Sequence, residues 1–162
     1  MVFKLGITGG IASGKSKCLA YLSQHPQIST LNLDSVAFQV YDNNPSVIKA
    51  LQSRFGEDVW QNNKLNRPFL AQQAFKDEPS TKALNDIVGP EIRQLMHKHF
   101  EQAHRDNYKI CAVEGAILIE SGTYKVFDEM WCVTLPKELA IERVKTRNPL
   151  MTEEDIMNRL RR

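Results

Sequence analysis

The sequence predicts an α/β protein, a parallel β-sheet with helices on both faces, and three observations predict it. Short apolar runs alternate with amphipathic stretches at helical spacing. The stretch Gly9 to Ser16, GGIASGKS, fits G-x-x-x-x-G-K-[ST] between an apolar run and an amphipathic one, the context a phosphate-binding loop requires. Acids stand at the ends of two apolar runs, Asp34 after Ile28–Leu33 and Glu114 after Ile110–Val113. Right-handed crossovers bring the carboxyl ends of parallel strands to one edge, where ligands bind. The loop, Asp34 and Glu114 are therefore expected to converge on one cleft.

Each element follows in order. Val2–Thr8 is the first strand. Gly9, Gly10 and Gly14 then let successive N–H groups turn toward a phosphate at the positive end of a helix over Ser16–Gln24. Lys15 is placed to reach the β- and γ-phosphates, and Ser16 to hold Mg²⁺ through its hydroxyl. Ile28–Leu33 is the second strand, passing at Asp34 into a short helix over Ser35–Tyr41. Asn43-Asn44-Pro45 is turn chemistry, and Val47, Leu51 and Phe55 mark a helix that Gly56 stops. Trp60–Lys64 reads as a loop or small turn. Asn66-Arg67-Pro68 opens a helix with Phe69, Leu70 and Ala74 inward. Glu78-Pro79-Ser80 opens a longer one carrying Leu84, Val88, Ile92, Leu95, Phe100 and Ala103, which Gly89-Pro90 is expected to kink or break. Ile110–Val113 and Glu129–Leu135 are the third and fourth strands. Pro136 starts a helix to about Arg147, and Thr152 caps a last one with acids in its first turn and Arg159, Arg161 and Arg162 in its last.

With 162 residues, one main domain with a proper core is expected. A net charge of +2 is too mild to mark nucleic acid as a partner, though it suits an anionic nucleotide. Cys18, Cys111 and Cys132 lack metal-ligand spacing and fit a reducing compartment. No apolar run approaches the roughly 20 residues that span a bilayer, and no signal-peptide pattern precedes the loop, so no membrane partner and a cytoplasmic location are expected. His97, His99 and His104 lack the i, i+4 pair of a helical zinc site.

A phosphate-loop fold serves small-molecule phosphotransferases and nucleotide switches alike. The residues favour the first. Asn63-Lys64-Leu65-Asn66 lacks the acid of the guanine-reading N-K-x-D, and Asp86-Ile87-Val88-Gly89 fits D-x-x-G only inside a helical segment.

Six segments, taken together, are similar to one family. They are GITGGIASGKS, LNLDSVAFQVY, KLNRPFLAQQAF, LNDIVGPEIRQ, VEGAILIESG, and TLPKELAIERVKTRN followed by TEEDIMNRL. In order and spacing this set resembles the dephospho-CoA kinase family, which moves the γ-phosphate of ATP to the ribose 3′-hydroxyl of dephospho-CoA. The resemblance implies a P-loop NTPase fold of nucleotide-kinase type with a helical substrate lobe and a lid. It divides the chain into a core of about residues 1–40 and 107–147, a lobe of about 41–106 on the coenzyme side, and a lid of about 147–162. It also implies a further strand and helix, which the family carries after this point and which this sequence lacks.

Residue by residue, the resemblance implies ATP and Mg²⁺ as cofactors and dephospho-CoA as the small-molecule partner. Asp34 falls on the catalytic aspartate, with Lys15 and Arg143 completing the catalytic set. ATP falls to Gly9, Gly10, Ile11, Ala12, Ser13, Gly14, Lys15, Ser16 and Lys17, with Arg147 and the lid arginine Arg159. Thr8, Asp34, Arg67 and Glu114 face the acceptor, and Ser16 and Glu114 the metal; Glu120 is read as structural. Asn32, Phe38, Gly89, Ala116 and Ala140 depart from the family pattern, where the first two positions hold an aspartate and an arginine. Two alternatives stand beside this reading: another phosphate-loop kinase, of nucleoside monophosphate or shikimate type, and a nucleotide-binding module without transfer activity.

Overall fold

A computed structural model describes residues 1–160, apart from the side chains of Phe38, Asp42, Asp155, Asn158 and Arg159. Along the chain its elements are β1 (Phe3–Gly9), α1 (Lys15–Leu22), β2 (Ile28–Asn32), α2 (Leu33–Asn43), α3 (Pro45–Phe55), β3 (Trp60–Gln61), β4 (Lys64–Leu65), α4 (Arg67–Ala74), α5 (Glu78–Arg105), β5 (Ile110–Glu114), β6 (Glu129–Val133), α6 (Lys137–Arg147) and α7 (Glu153–Leu160). They fall into two compact units, Met1–Asn32 with Phe100–Arg162, and Leu33–His99.

The first unit holds a parallel sheet in the order β2-β5-β1-β6. Strands in such a sheet are covered on both faces, and β5 accordingly buries Cys111 through Glu114 without alternation. Leu5 and Ile7 of β1, Leu19 of α1 and Ala112 of β5 form the core, with Cys18, Leu22, Ile28, Ile110 and Val133 packed against it. Register sets the functional edge. Ile7 and Asn32 both pair with Glu114, and Gly9 pairs with Val133, so the carboxyl ends of all four strands come level. Among the described residues no helix is long and apolar enough to cross a membrane.

The cysteines of this unit differ sharply in exposure. Cys111 is fully buried, and burial pushes its thiol up to about 12, the nearby Lys4 charge pulling weakly the other way. Cys132 on β6 is exposed and Cys18 half-buried. Because the thiolate is the nucleophile, iodoacetamide at pH 8 is expected to label Cys132 rapidly and leave Cys111 unmodified until urea unfolds the chain. Equal labelling rates by mass spectrometry would contradict this placement.

The second unit is helical around its own core of Val40, Tyr41, Val47, Leu51, Phe55, Val59, Leu70, Ala74, Leu84 and Val88. Asn44 caps α3, its side chain accepting from the Ser46 and Val47 N–H groups, and Asn66 caps α4 through the Phe69 N–H. Two expectations are corrected here. Trp60–Lys64 is part of a small antiparallel hairpin, Trp60 opposite Leu65 and Gln61 opposite Lys64, turned by Asn62 and Asn63 at φ 52° and 59°. Two consecutive left-handed residues are what a two-residue hairpin turn needs, and asparagine tolerates them. The break at Gly89-Pro90 is absent, α5 running as one helix from Glu78 to Arg105. Leu84 and Val88 before the proline are buried, and Ile92 and Leu95 after it pack on the same core. Burial on both sides of Pro90 offsets the roughly 3 kcal/mol that an internal proline costs.

Candidate nucleotide-phosphate site

The chain leaves β1 at Gly9, whose φ of 148° no side chain adopts comfortably and where a Cβ would run into the Val133 carbonyl. It enters α1 at Gly14, the left-handed N-cap. Between them Ala12 also sits left-handed, at φ 58°. The Ser13 N–H closes a turn on the Gly10 carbonyl at 3.3 Å. Lys15 folds back over this turn, its Nζ donating to the Gly9 and Gly10 carbonyls at 2.8 Å each. The Ser13 hydroxyl is buried and has no hydrogen-bond partner among the described residues. A buried hydroxyl without a partner in a loop capped by a lysine is a donor set whose chemistry suits an anion.

Ala12 carries a measurable strain. A left-handed conformation costs an L-residue about 1 kcal/mol that glycine escapes. Ala12→Gly is therefore expected to stabilise the protein by about 1 kcal/mol, opposite in sign to the usual loss when glycine replaces alanine in a helix. A lower melting temperature for the variant would refute the strain.

Opposite the loop, Glu114 ends β5 only 3% exposed. Ser16 Oγ donates to its Oε1 at 2.8 Å, and Asn32 Nδ2, from the end of β2, donates to its Oε2 at 3.1 Å. Thr8 is buried, its hydroxyl donating to the Ala116 carbonyl at 3.4 Å. Arg143 reaches from α6 to the loop, its Nη1 donating to the Ala12 carbonyl at 3.1 Å. Ile11 is half-buried in the loop, while Lys17 and Arg147 are exposed on α1 and at the end of α6. The side chain of Arg159 lies outside the described residues. Thus Thr8, the whole loop, Glu114 and Arg143 are brought together within one unit, and Asn32, noted in the sequence only as standing where the resembling family has an aspartate, joins them.

In the unit Leu33–His99, Asp34 stands exposed in the first turn of α2. Tyr41, two turns on, is buried, and burial together with the Asp34 charge pushes its phenol above the ordinary range. Arg67 opens α4 and lines an open pocket of about 420 Å³ with Trp60, Asn63, Lys64 and Leu65.

A parallel sheet with the loop after its first strand, a lysine over that loop and an acid facing the loop's terminal serine defines a phosphate-loop phosphotransferase of the nucleotide-kinase class. Residues 3–162 match the profile of a family described as dephospho-CoA kinase. The chain is 34% identical to the dephospho-CoA kinase of Moorella thermoacetica, over 94% of this chain and 73% of that one. It is 35% identical to that of Bacteroides fragilis, over 99% and 77%. The crystal structure of TT1252 from Thermus thermophilus superposes with a TM-score of 0.79 at 31% identity, covering 99% of this chain and 79% of that one. A dephospho-CoA kinase from Campylobacter jejuni shares the fold at a TM-score of 0.67 and 23% identity, covering 99% and 80%. The chain belongs to the dephospho-CoA kinase family.

Proposed function

We propose that this chain transfers the γ-phosphoryl group of ATP to the ribose 3′-hydroxyl of dephospho-CoA, the last step of coenzyme A synthesis. The observation that carries the reading is the phosphate loop with Lys15 above it and Ser16 held by buried Glu114, in a chain that matches the family along nearly its whole length.

The donor set fits nucleotide and metal. The orphan Ser13 hydroxyl and the Lys15 ammonium are donors suited to phosphate oxygens, Lys15 exchanging its two carbonyl partners for the β- and γ-phosphates. The backbone N–H groups of Gly10, Ile11 and Gly14 and the cations of Lys17, Arg143 and Arg147 add positive potential, and Arg159 is assigned to the lid on the resemblance alone. Ser16 and Glu114 are hard oxygen donors that suit Mg²⁺, with Ser16 as direct ligand and Glu114 holding a coordinated water. When bound, the metal neutralises charge on the phosphates.

In the unit Leu33–His99, Asp34 is assigned to orient the acceptor hydroxyl and take its proton, and Arg67 to pair with acceptor phosphate. Thr8 is assigned to the acceptor side, where its buried hydroxyl fixes the Ala116 carbonyl. About residues 41–106 form the acceptor lobe, and 147–162 a lid that closes over the phosphates and excludes water. Lys145 of α6 donates to Glu153 of α7 at 3.2 Å across the start of that lid. Three free cysteines support a cytoplasmic site of action.

A coupled ADP-release assay with Mg·ATP tests the reading. Dephospho-CoA is expected to stimulate turnover where AMP and shikimate do not, and Asp34→Asn to abolish the stimulation. ADP release indifferent to every acceptor would overturn it.

A further inference from the structure

Glu114 is a nearly buried carboxylate whose two oxygens are engaged separately, Oε1 by the Ser16 hydroxyl and Oε2 by the Asn32 amide. Both partners are neutral side chains, so Glu114 is the one carboxylate of the group. Register explains why residue 32 has this leverage. Asn32 and Glu114 are direct neighbours on adjacent parallel strands, at the level where Ile7 leads into the phosphate loop. An amide there donates to one carboxylate oxygen and leaves the other facing Ser16. An aspartate would instead set a second anionic oxygen about 3 Å from the first, a pair that seeks a divalent cation.

We propose that Asn32 is a positioning residue that pins Glu114 against Ser16, and that its amide makes this a one-carboxylate centre, which takes a divalent cation only together with the phosphates of a nucleoside triphosphate. The inference rests on the reading of Ser16 and Glu114 as the metal-side pair. It gives Asn32 a role that the absence of an aspartate had left unexplained. With one carboxylate, nucleotide-free protein holds the metal weakly, and the cation arrives as its nucleotide complex. With the amide removed, the carboxylate swings away from Ser16 and the metal requirement of nucleotide binding rises.

The test uses the whole chain and two binding readouts. Mn²⁺ affinity without nucleotide is measured by electron paramagnetic resonance for wild type, Asn32→Asp and the double variant Asn32→Asp/Glu114→Gln. The Mg²⁺ concentration for half-maximal binding of a non-hydrolysable fluorescent ATP analogue is measured for wild type, Asn32→Ala and Ser16→Ala. Asn32→Asp is expected to bind Mn²⁺ about tenfold more tightly, and the double variant, again with one carboxylate and one amide, to return to the wild-type value. Asn32→Ala is expected to raise the Mg²⁺ requirement about tenfold while metal-free analogue binding stays the same, a split that general loss of structure does not produce. Unchanged Mn²⁺ affinity in Asn32→Asp overturns the one-carboxylate assignment, and an unchanged Mg²⁺ requirement in Asn32→Ala overturns the positioning role. Ser16→Ala separates the layers: no change there sinks the metal-side reading itself, whereas a large change there beside silent Asn32 variants sinks the Asn32 proposal alone.

Discussion

Lys15→Met is expected to lower kcat for acceptor-dependent ADP release about a thousandfold. Methionine keeps the length of the stem and removes the charge, so the loss reports on the ammonium. That ammonium sits over the loop, bonded at 2.8 Å to the Gly9 and Gly10 carbonyls. In a water-poor site, a fixed cation aimed at the transferring group is worth far more than at a surface. Lys15→Arg should recover little, because a bulkier planar fork does not reproduce the compact charge that the loop places for the phosphates. Activity of Lys15→Met within tenfold of wild type would place the chemistry elsewhere.

Leu51→Ala is expected to destabilise the protein by about 3 kcal/mol. Leu51 is 0% exposed at the centre of the second unit's core, so truncation leaves a cavity that Val47, Phe55 and their neighbours fill only in part. Leu150 is 98% exposed, and its truncation should change stability by no more than about 0.5 kcal/mol. Urea titrations of the two variants compare a cavity with a surface loss of the same side chain. Similar midpoints would mean that the apolar cluster is not the stabilising core described above.

The phosphate loop and the parallel strands were legible because their signals are local. A glycine pattern between an apolar run and a helix, and unbroken apolar strands, need no knowledge of distant residues. What was missed depends on tertiary context. The hairpin at Trp60–Leu65 has two-residue strands, and Asn62-Asn63 lacks the glycine that usually marks such a turn. At Gly89-Pro90 local propensity argued for a break, but apolar packing on both sides decided for a continuous helix. In the candidate site, Lys15, Ser16 and Glu114 could be read from spacing. Asn32 could not, because its partnership with Glu114 depends on β2 lying beside β5, and strand order is not written in either strand. The left-handed Ala12, on which Arg143 closes, was likewise invisible, since alanine gives no hint of positive φ.

The division of the chain also orders its birth on the ribosome. Leu33–His99 is contiguous and carries its own core, so it can collapse as soon as it emerges. The sheet cannot. β1 is made first, yet both of its neighbours come late: Phe3 pairs with Ile110 and Leu5 with Glu129. Closure over the whole of that insert must therefore be completed before the central strand gains a partner. Until then β1 is an apolar strand with two unpaired edges, the kind of segment that favours aggregation.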